Sequence, residues 1–198
     1  MVTINIVIIE SDSVVHKYYQ SIFYKVQDIV IVGCYANLKA FVSNIDSHKN
    51  DLILLDVHST EGYAETVILK LVKQHPEIRM VILSAWIQYD LVYDCIKAGA
   101  IGHIGKFVKA QSFIRTIREI YKGESRVSLP LAQLINENIL MQRIGKVSIR
   151  NMQMLALFSG GYTMYEILKF MNMAEHEILC SLRDVILQIH FTNRNFDL

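Results

Sequence analysis

Residues 1 to about 123 predict an α/β fold, a five-stranded doubly wound parallel sheet, and residues 147 onward predict a small all-α domain. Three observations carry this reading. Short apolar runs alternate with longer amphipathic ones through the first part, the signature of βαβ units. One of these runs, LILL at 52–55, is apolar throughout, as a central strand buried on both faces must be. Beyond position 147, apolar residues recur at helical spacing.

The strand-like runs are 4–9, 29–35, 52–55, 80–83 and 102–104, and the helical patterns between and after them are 14–24, 38–44, 65–74, 89–98 and 110–121. Four of the strands end in residues that carry chemistry. The first ends in Glu10-Ser11-Asp12, the third in Asp56, the fourth in Ser84 and the fifth in Lys106. In an open parallel sheet the carboxyl ends of the strands share one edge, so these groups converge there. Such a set can transfer a phosphoryl group. A carboxylate acts as nucleophile, a divalent cation neutralises the incoming oxygens, and a lysine and a small hydroxyl hold them. Asp56, Lys106 and Ser84 have the chemistry for those roles.

Composition bounds the alternatives. The 198 residues are 52% hydrophobic with a net charge of +1, which places the chain among globular proteins and gives no charge signature for nucleic acid or a membrane surface. No apolar run approaches the roughly 20 residues that span a bilayer, and no basic segment precedes an apolar one at the N-terminus, so a cytoplasmic location without a membrane partner is expected. Cys34, Cys95 and Cys180 are too far apart for a disulfide framework or a metal spacing. The seven histidines are scattered singly, with no nucleophile–base pattern, so an enzyme is not expected.

The segments IVIIESD, LILLDVHSTEG, VILSAW and GAIGHIGK resemble, in order and spacing, the receiver domain of the response-regulator family over residues 1–123. The resemblance implies a flavodoxin-like receiver with Asp56 as phosphoacceptor, Ser84 as switch hydroxyl and Lys106 as the phosphate-contacting lysine. His103 falls at the switch position, where the family usually carries an aromatic residue. The family's metal site uses two consecutive acids, and here they align with Glu10 and Ser11. The implied Mg²⁺ would be held by Glu10 and Asp56, weakly, because Ser11 replaces an acid and Asp12 stands one position late. Thr60 and Phe107 stand where the family usually has prolines.

Pro130, a helical run at 131–141 and residues 142–146 read as a connecting helix and linker, spanning 124–146 overall. From 147 to 198 the pattern VSIRNMQML, GGYTMYEI, NMAEHEI and TNR resembles the LuxR-type helix-turn-helix of the NarL/FixJ branch. Ser148 and the pair Thr163 and Glu166 read as helix N-caps. The resemblance implies a supporting helix at 163–171 and a recognition helix at 175–189, lying in the major groove of promoter DNA. Its DNA-contacting positions map to Arg150, Tyr165, Lys169, Leu179, Cys180, Arg183 and Arg194. That surface is poor in bases. From 147 onward Arg150, Lys169, Arg183 and Arg194 face five acids, leaving one net negative charge.

Two functions follow. The first is a transcriptional regulator that binds double-stranded promoter DNA as a homodimer and works largely without phosphorylation. The second is a regulator with little DNA affinity that pairs with a related response regulator. On the first helix, Tyr18, Tyr19, Phe23 and Tyr24 are expected to split between core and exterior.

Overall fold

The computed structural model describes residues 2–45, 49–60, 63–84, 89–106, 108–124, 132, 135, 147–159 and 161–194. The five predicted strands form one parallel sheet: β1 (Ile4–Ile9), β2 (Ile29–Tyr35), β3 (Leu52–Asp56), β4 (Met80–Ser84) and β5 (Gly102–Gly105), in the order β2-β1-β3-β4-β5. The helices between and after them are α1 (Ser13–Phe23), α2 (Leu38–Val42), α3 (Ala64–Gln74), α4 (Tyr89–Ala98) and α5 (Ala110–Tyr121). Three further helices follow: α6 (Ile149–Ser159), α7 (Met164–Met171) and α8 (Glu175–Arg194).

Strand alternation sorts the core into two layers. Ile4, Ile6, Ile8, Leu52, Leu54, Val81 and Leu83 pack with α1 and α5. Val7, Ile9, Ile53, Leu55, Met80 and Ile82 pack on the other face with α2, α3 and α4. Both faces of β3 are therefore covered, which is why LILL is apolar at every position. Asp56 and Ser84 belong to the last rung of β3 and β4 rather than to the loops after them. Fixed by the ladder, the ends of these strands point their polar groups into a common edge. Opposite it, Arg118 of α5 makes a paired contact with Asp28, at 2.8 and 2.7 Å, anchoring the approach to β2. The aromatic residues of α1 split as expected, with Tyr19 and Phe23 buried and Tyr18 and Tyr24 exposed.

In the C-terminal part, Asn151 N donates to Ser148 Oγ, and Thr163 and Glu166 form the reciprocal capping box that opens α7. Helix α8 runs to Arg194, five residues beyond the predicted recognition helix, so Thr192 and Asn193 lie within it. Of the predicted connecting segment 124–146 only Glu124, Ala132 and Ile135 are among the described residues, and the last two are buried.

The apolar layer under α3 and α4 continues into α6, α7 and α8, and α8 packs along α4. Ile178, Leu182, Val185 and Ile189 lie on one stripe of α8. Leu179 and Ile186 form a second stripe, roughly 90° further round a helix that turns about 100° per residue. Both stripes are buried. No described helix is long and apolar enough to cross a membrane.

Candidate functional site

Glu10, Asp56 and Lys106 meet at the carboxyl edge of the sheet. Each carboxylate is 2% exposed, and Lys106 is also largely buried. The ammonium of Lys106 donates to Glu10 Oε2 and lies 2.9 Å from Asp56 Oδ1. The second contact is off the direction of a good hydrogen bond, so Oδ1 has a charge partner but no directed donor. The lysine thus compensates two buried carboxylates at once. Asp56 Oδ2 accepts from Ser59 Oγ at 3.1 Å, and Ser59 Oγ in turn accepts from Ser11 N at 2.8 Å. Glu10 Oε1 accepts from Asp12 N at 3.1 Å.

Of the residues predicted for this pocket, the structure brings Glu10, Asp56 and Lys106 into direct contact. Ser84 sits one strand away, on the same edge. Ser11 is not a pocket side chain: it is exposed, and only its backbone N–H reaches inward, through Ser59. Asp12 is spent differently, as the N-cap of α1, accepting from Val14 N at 2.7 Å. Phe107, the residue at the second proline position, lies outside the described residues. Ser59 was not anticipated. A serine three residues after Asp56 carries no distinguishing sequence signal, and its role follows only from the 3₁₀ turn Val57–Ser59 that folds it back.

A divalent cation of the Mg²⁺ type takes one or two carboxylates plus water. Glu10 and Asp56 meet that minimum, and Asp56 Oδ1 is a buried oxygen with lone pairs to offer. The fit is competitive, because Lys106 already holds both carboxylates. Among the described residues no group of three His, Cys, Asp or Glu side chains is arranged to hold a metal. When bound, the cation supplies charge neutralisation for phosphoryl oxygens at Asp56.

The switch positions are joined. Ser84 Oγ is hydrogen-bonded to His103 Nε2 at 2.8 Å, across the β4–β5 pairing that sets Ser84 beside Gly105 and Ile82 beside His103. Burial holds the imidazole well below its ordinary range, at about 4 instead of 6.5, so His103 is neutral at physiological pH. Between those two values the unfolded chain binds more protons than the folded one, so stability increases with pH through that window. The contribution is on the order of 3 kcal/mol. His103→Phe flattens this part of the profile, which urea midpoints of wild type and variant at mildly acid and neutral pH will show.

The predicted DNA-contacting residues divide into two sets. Arg150, Tyr165 and Lys169 are exposed on α6 and α7. Leu179 is 2% exposed, within the apolar layer shared with α4, and in this arrangement it has no access to a base. Cys180 is half-buried. Arg183 pairs with Asp184 at 2.9 Å, and its guanidinium lies where a Cβ on Gly123 would come within 3.0 Å. Gly123 has φ +86°, a left-handed conformation that ends α5 and lets this arginine approach. A groove of about 230 Å³ between Ile101, Ile120 and Gly123 on one side and Arg183, Ile186 and Leu187 on the other marks the same seam. The side chain of Arg194 lies outside the described ones.

The family model described as the response regulator receiver domain matches residues 6–118, more than half of the chain. The chain belongs to the response-regulator family. Response regulator protein VraR of Staphylococcus epidermidis is 30% identical to this response regulator over 146 residues, covering 71% of this chain and 68% of VraR. Oxygen regulatory protein NreC of the same species is 25% identical over 169 residues, 79% of this chain and 78% of NreC. The fold extends over the full length. RcsB of Salmonella typhimurium, at 15% identity, superposes with a TM-score of 0.61 over 99% of this chain and 98% of its own. RcsB solved as dimers bound to DNA gives 0.59 at 15% identity, over 98% and 97%. A receiver followed by a helix-turn-helix domain is the order of the NarL/FixJ branch.

Proposed function

We propose that this response regulator is a cytoplasmic transcriptional regulator that binds promoter DNA as a homodimer, and that its receiver works largely without phosphorylation of Asp56. In this reading residues 1–123 are the receiver, 124–146 connect, and 147–198 are the DNA-binding domain. The observation that carries it is the joining of a receiver and a helix-turn-helix in one chain whose relatives are response regulators and whose structural neighbour RcsB has been solved on DNA. Independence from phosphate is supported by the pocket. Lys106 is committed to Glu10 and Asp56, Ser84 is committed to His103, and Ser11 brings no carboxylate.

Exposed Arg150, Tyr165 and Lys169 contact phosphates, and α8 enters the major groove. Because α8 lies on α4, that entry requires the seam to open. A DNase footprint of full-length protein on its own upstream DNA at low salt tests the reading. Protection of a discrete site supports it, and no protection under any condition overturns it.

A second reading, in which the chain pairs with a related response regulator and binds DNA weakly or not at all, is favoured by the buried Leu179 and the net negative charge from 147 onward. Co-purification with a paralogous regulator, together with an empty footprint, would establish it.

A further inference from the structure

The groove between α2 and α3 takes no part in the acidic pocket, in the predicted DNA contacts or in the seam under α8. It encloses about 340 Å³, within the range of small-molecule sites. Its inner surface is apolar, with Leu38 and Val42 from α2 and Val67 and Leu71 from α3. Helix geometry puts them there. Leu38 and Val42 are four residues apart on α2, and Val67, Lys70, Leu71 and Gln74 stand at i, i+3, i+4 and i+7, on one face of α3. Leu38 and Leu71 are buried, whereas Val42 is 40% exposed and Val67 half-buried. The two helices thus leave apolar surface open to solvent between them.

The polar rim consists of donors. Lys39 stands on the α2 side, and Lys70 and Gln74 on the α3 side, all three exposed. Among the described residues none of these side chains has a hydrogen-bond or ion-pair partner. Ser43 donates its hydroxyl proton to Lys39 O at 3.2 Å. No Asp or Glu lines the groove, so its two ammonium groups are uncompensated within it. Charge and surface together select the occupant. An inorganic anion would use the lysines and leave the apolar floor uncovered. A neutral hydrocarbon would cover the floor and offer the lysines nothing. An aliphatic chain ending in a carboxylate uses both, because its head accepts charge-assisted hydrogen bonds from opposite walls. Size disfavours a protein helix. The five residues of α2 make a wall about 8 Å long, whereas a docked helix sets its anchors over about 10 Å, from i to i+7.

We propose that the α2–α3 groove binds a small aliphatic carboxylate, with its head between Lys39 and Lys70 and its chain over Leu38 and Leu71. The site shares no residue with the predicted DNA contacts, and its failure would leave the regulator reading untouched.

The test is isothermal titration calorimetry of the full-length protein with octanoate, octan-1-ol and octylammonium, paired with methyl NMR. Octanoate binds best, the alcohol more weakly and the ammonium compound least. Its methyl shifts centre on Leu38, Val42, Val67 and Leu71. Butanoate, shorter by four methylenes, binds at least about tenfold more weakly than octanoate. Lys39→Gln and Lys70→Gln each weaken octanoate about threefold, as for a solvent-exposed ion pair. Val42→Glu changes an exposed position, sets a carboxylate in the groove and weakens octanoate about tenfold. Equal affinity for octanoate and octylammonium overturns the proposal, as does an octanoate affinity unchanged in all three variants. Octanoate shifts at other methyls but not at these four also overturn it. So does an absence of octanoate binding, including the case in which an acidic amphipathic peptide shifts the same methyls and marks a protein-docking groove instead.

Discussion

Lys106→Met destabilises the receiver by about 3–5 kcal/mol at neutral pH, the cost of leaving a buried carboxylate pair without its cation. Glu10 and Asp56 are each 2% exposed and share one ammonium, so the variant confines two like charges in a site of low polarity. Two consequences separate this account from a simple loss of packing. Mg²⁺ stabilises the variant more than wild type, because the cation no longer competes with the lysine. Glu10→Gln combined with Lys106→Met recovers most of the loss, so the two changes are strongly non-additive. Urea denaturation followed by circular dichroism, with and without Mg²⁺, measures both. Equal destabilisation of single and double variants would show that the ammonium's charge is not what Lys106 contributes.

Ile186→Ala increases DNA affinity roughly tenfold, the factor that corresponds to about 1.4 kcal/mol. Ile186 is buried and lines the groove between α8 and the end of α5, yet it is not among the predicted DNA contacts. Truncating a buried isoleucine removes about 2–4 kcal/mol of packing, shared here between the α6–α8 core and the seam with the receiver. The part lost at the seam shifts the equilibrium toward an undocked helix-turn-helix, and any DNA that binds only that form gains affinity in proportion. Small-angle scattering of the free variant gives a larger radius of gyration, and its footprint appears at lower protein concentration. A larger radius with unchanged DNA binding would detach docking from DNA recognition.

The sheet was legible from residues alone because a strand buried on both faces has no polar position to spend until it ends. LILL leading into Asp56 and VIL into Ser84 each mark both the strand and its functional end. The meeting of Glu10, Asp56 and Lys106 follows from parallel topology, so it too was readable. What the sequence hid depends on register and on domain placement. The Ser84–His103 bond exists because β4 and β5 pair with Ile82 beside His103, a choice that no local pattern states. Ser59 resembles any turn serine until the 3₁₀ turn places it under Asp56. Leu179 was assigned as a DNA contact because the family resemblance places a contacting position there. An apolar residue there equally suits a protein seam, and only the packing of α8 on α4 separates the two. That the aromatic residues of α1 split between core and exterior was expected, but not which of them are buried, nor that Tyr19 buries its hydroxyl beside the acids.

The most direct test of the central claim is fluorescence-anisotropy binding of the full-length protein to its own upstream DNA. It is run across a salt series, with and without acetyl phosphate and Mg²⁺. The account predicts specific binding that the phosphodonor leaves unchanged, with a shallow salt slope, each phosphate contact adding about −0.9. Binding that appears only with acetyl phosphate and Mg²⁺ would contradict a receiver that works without phosphate. No binding under any condition would contradict DNA recognition itself.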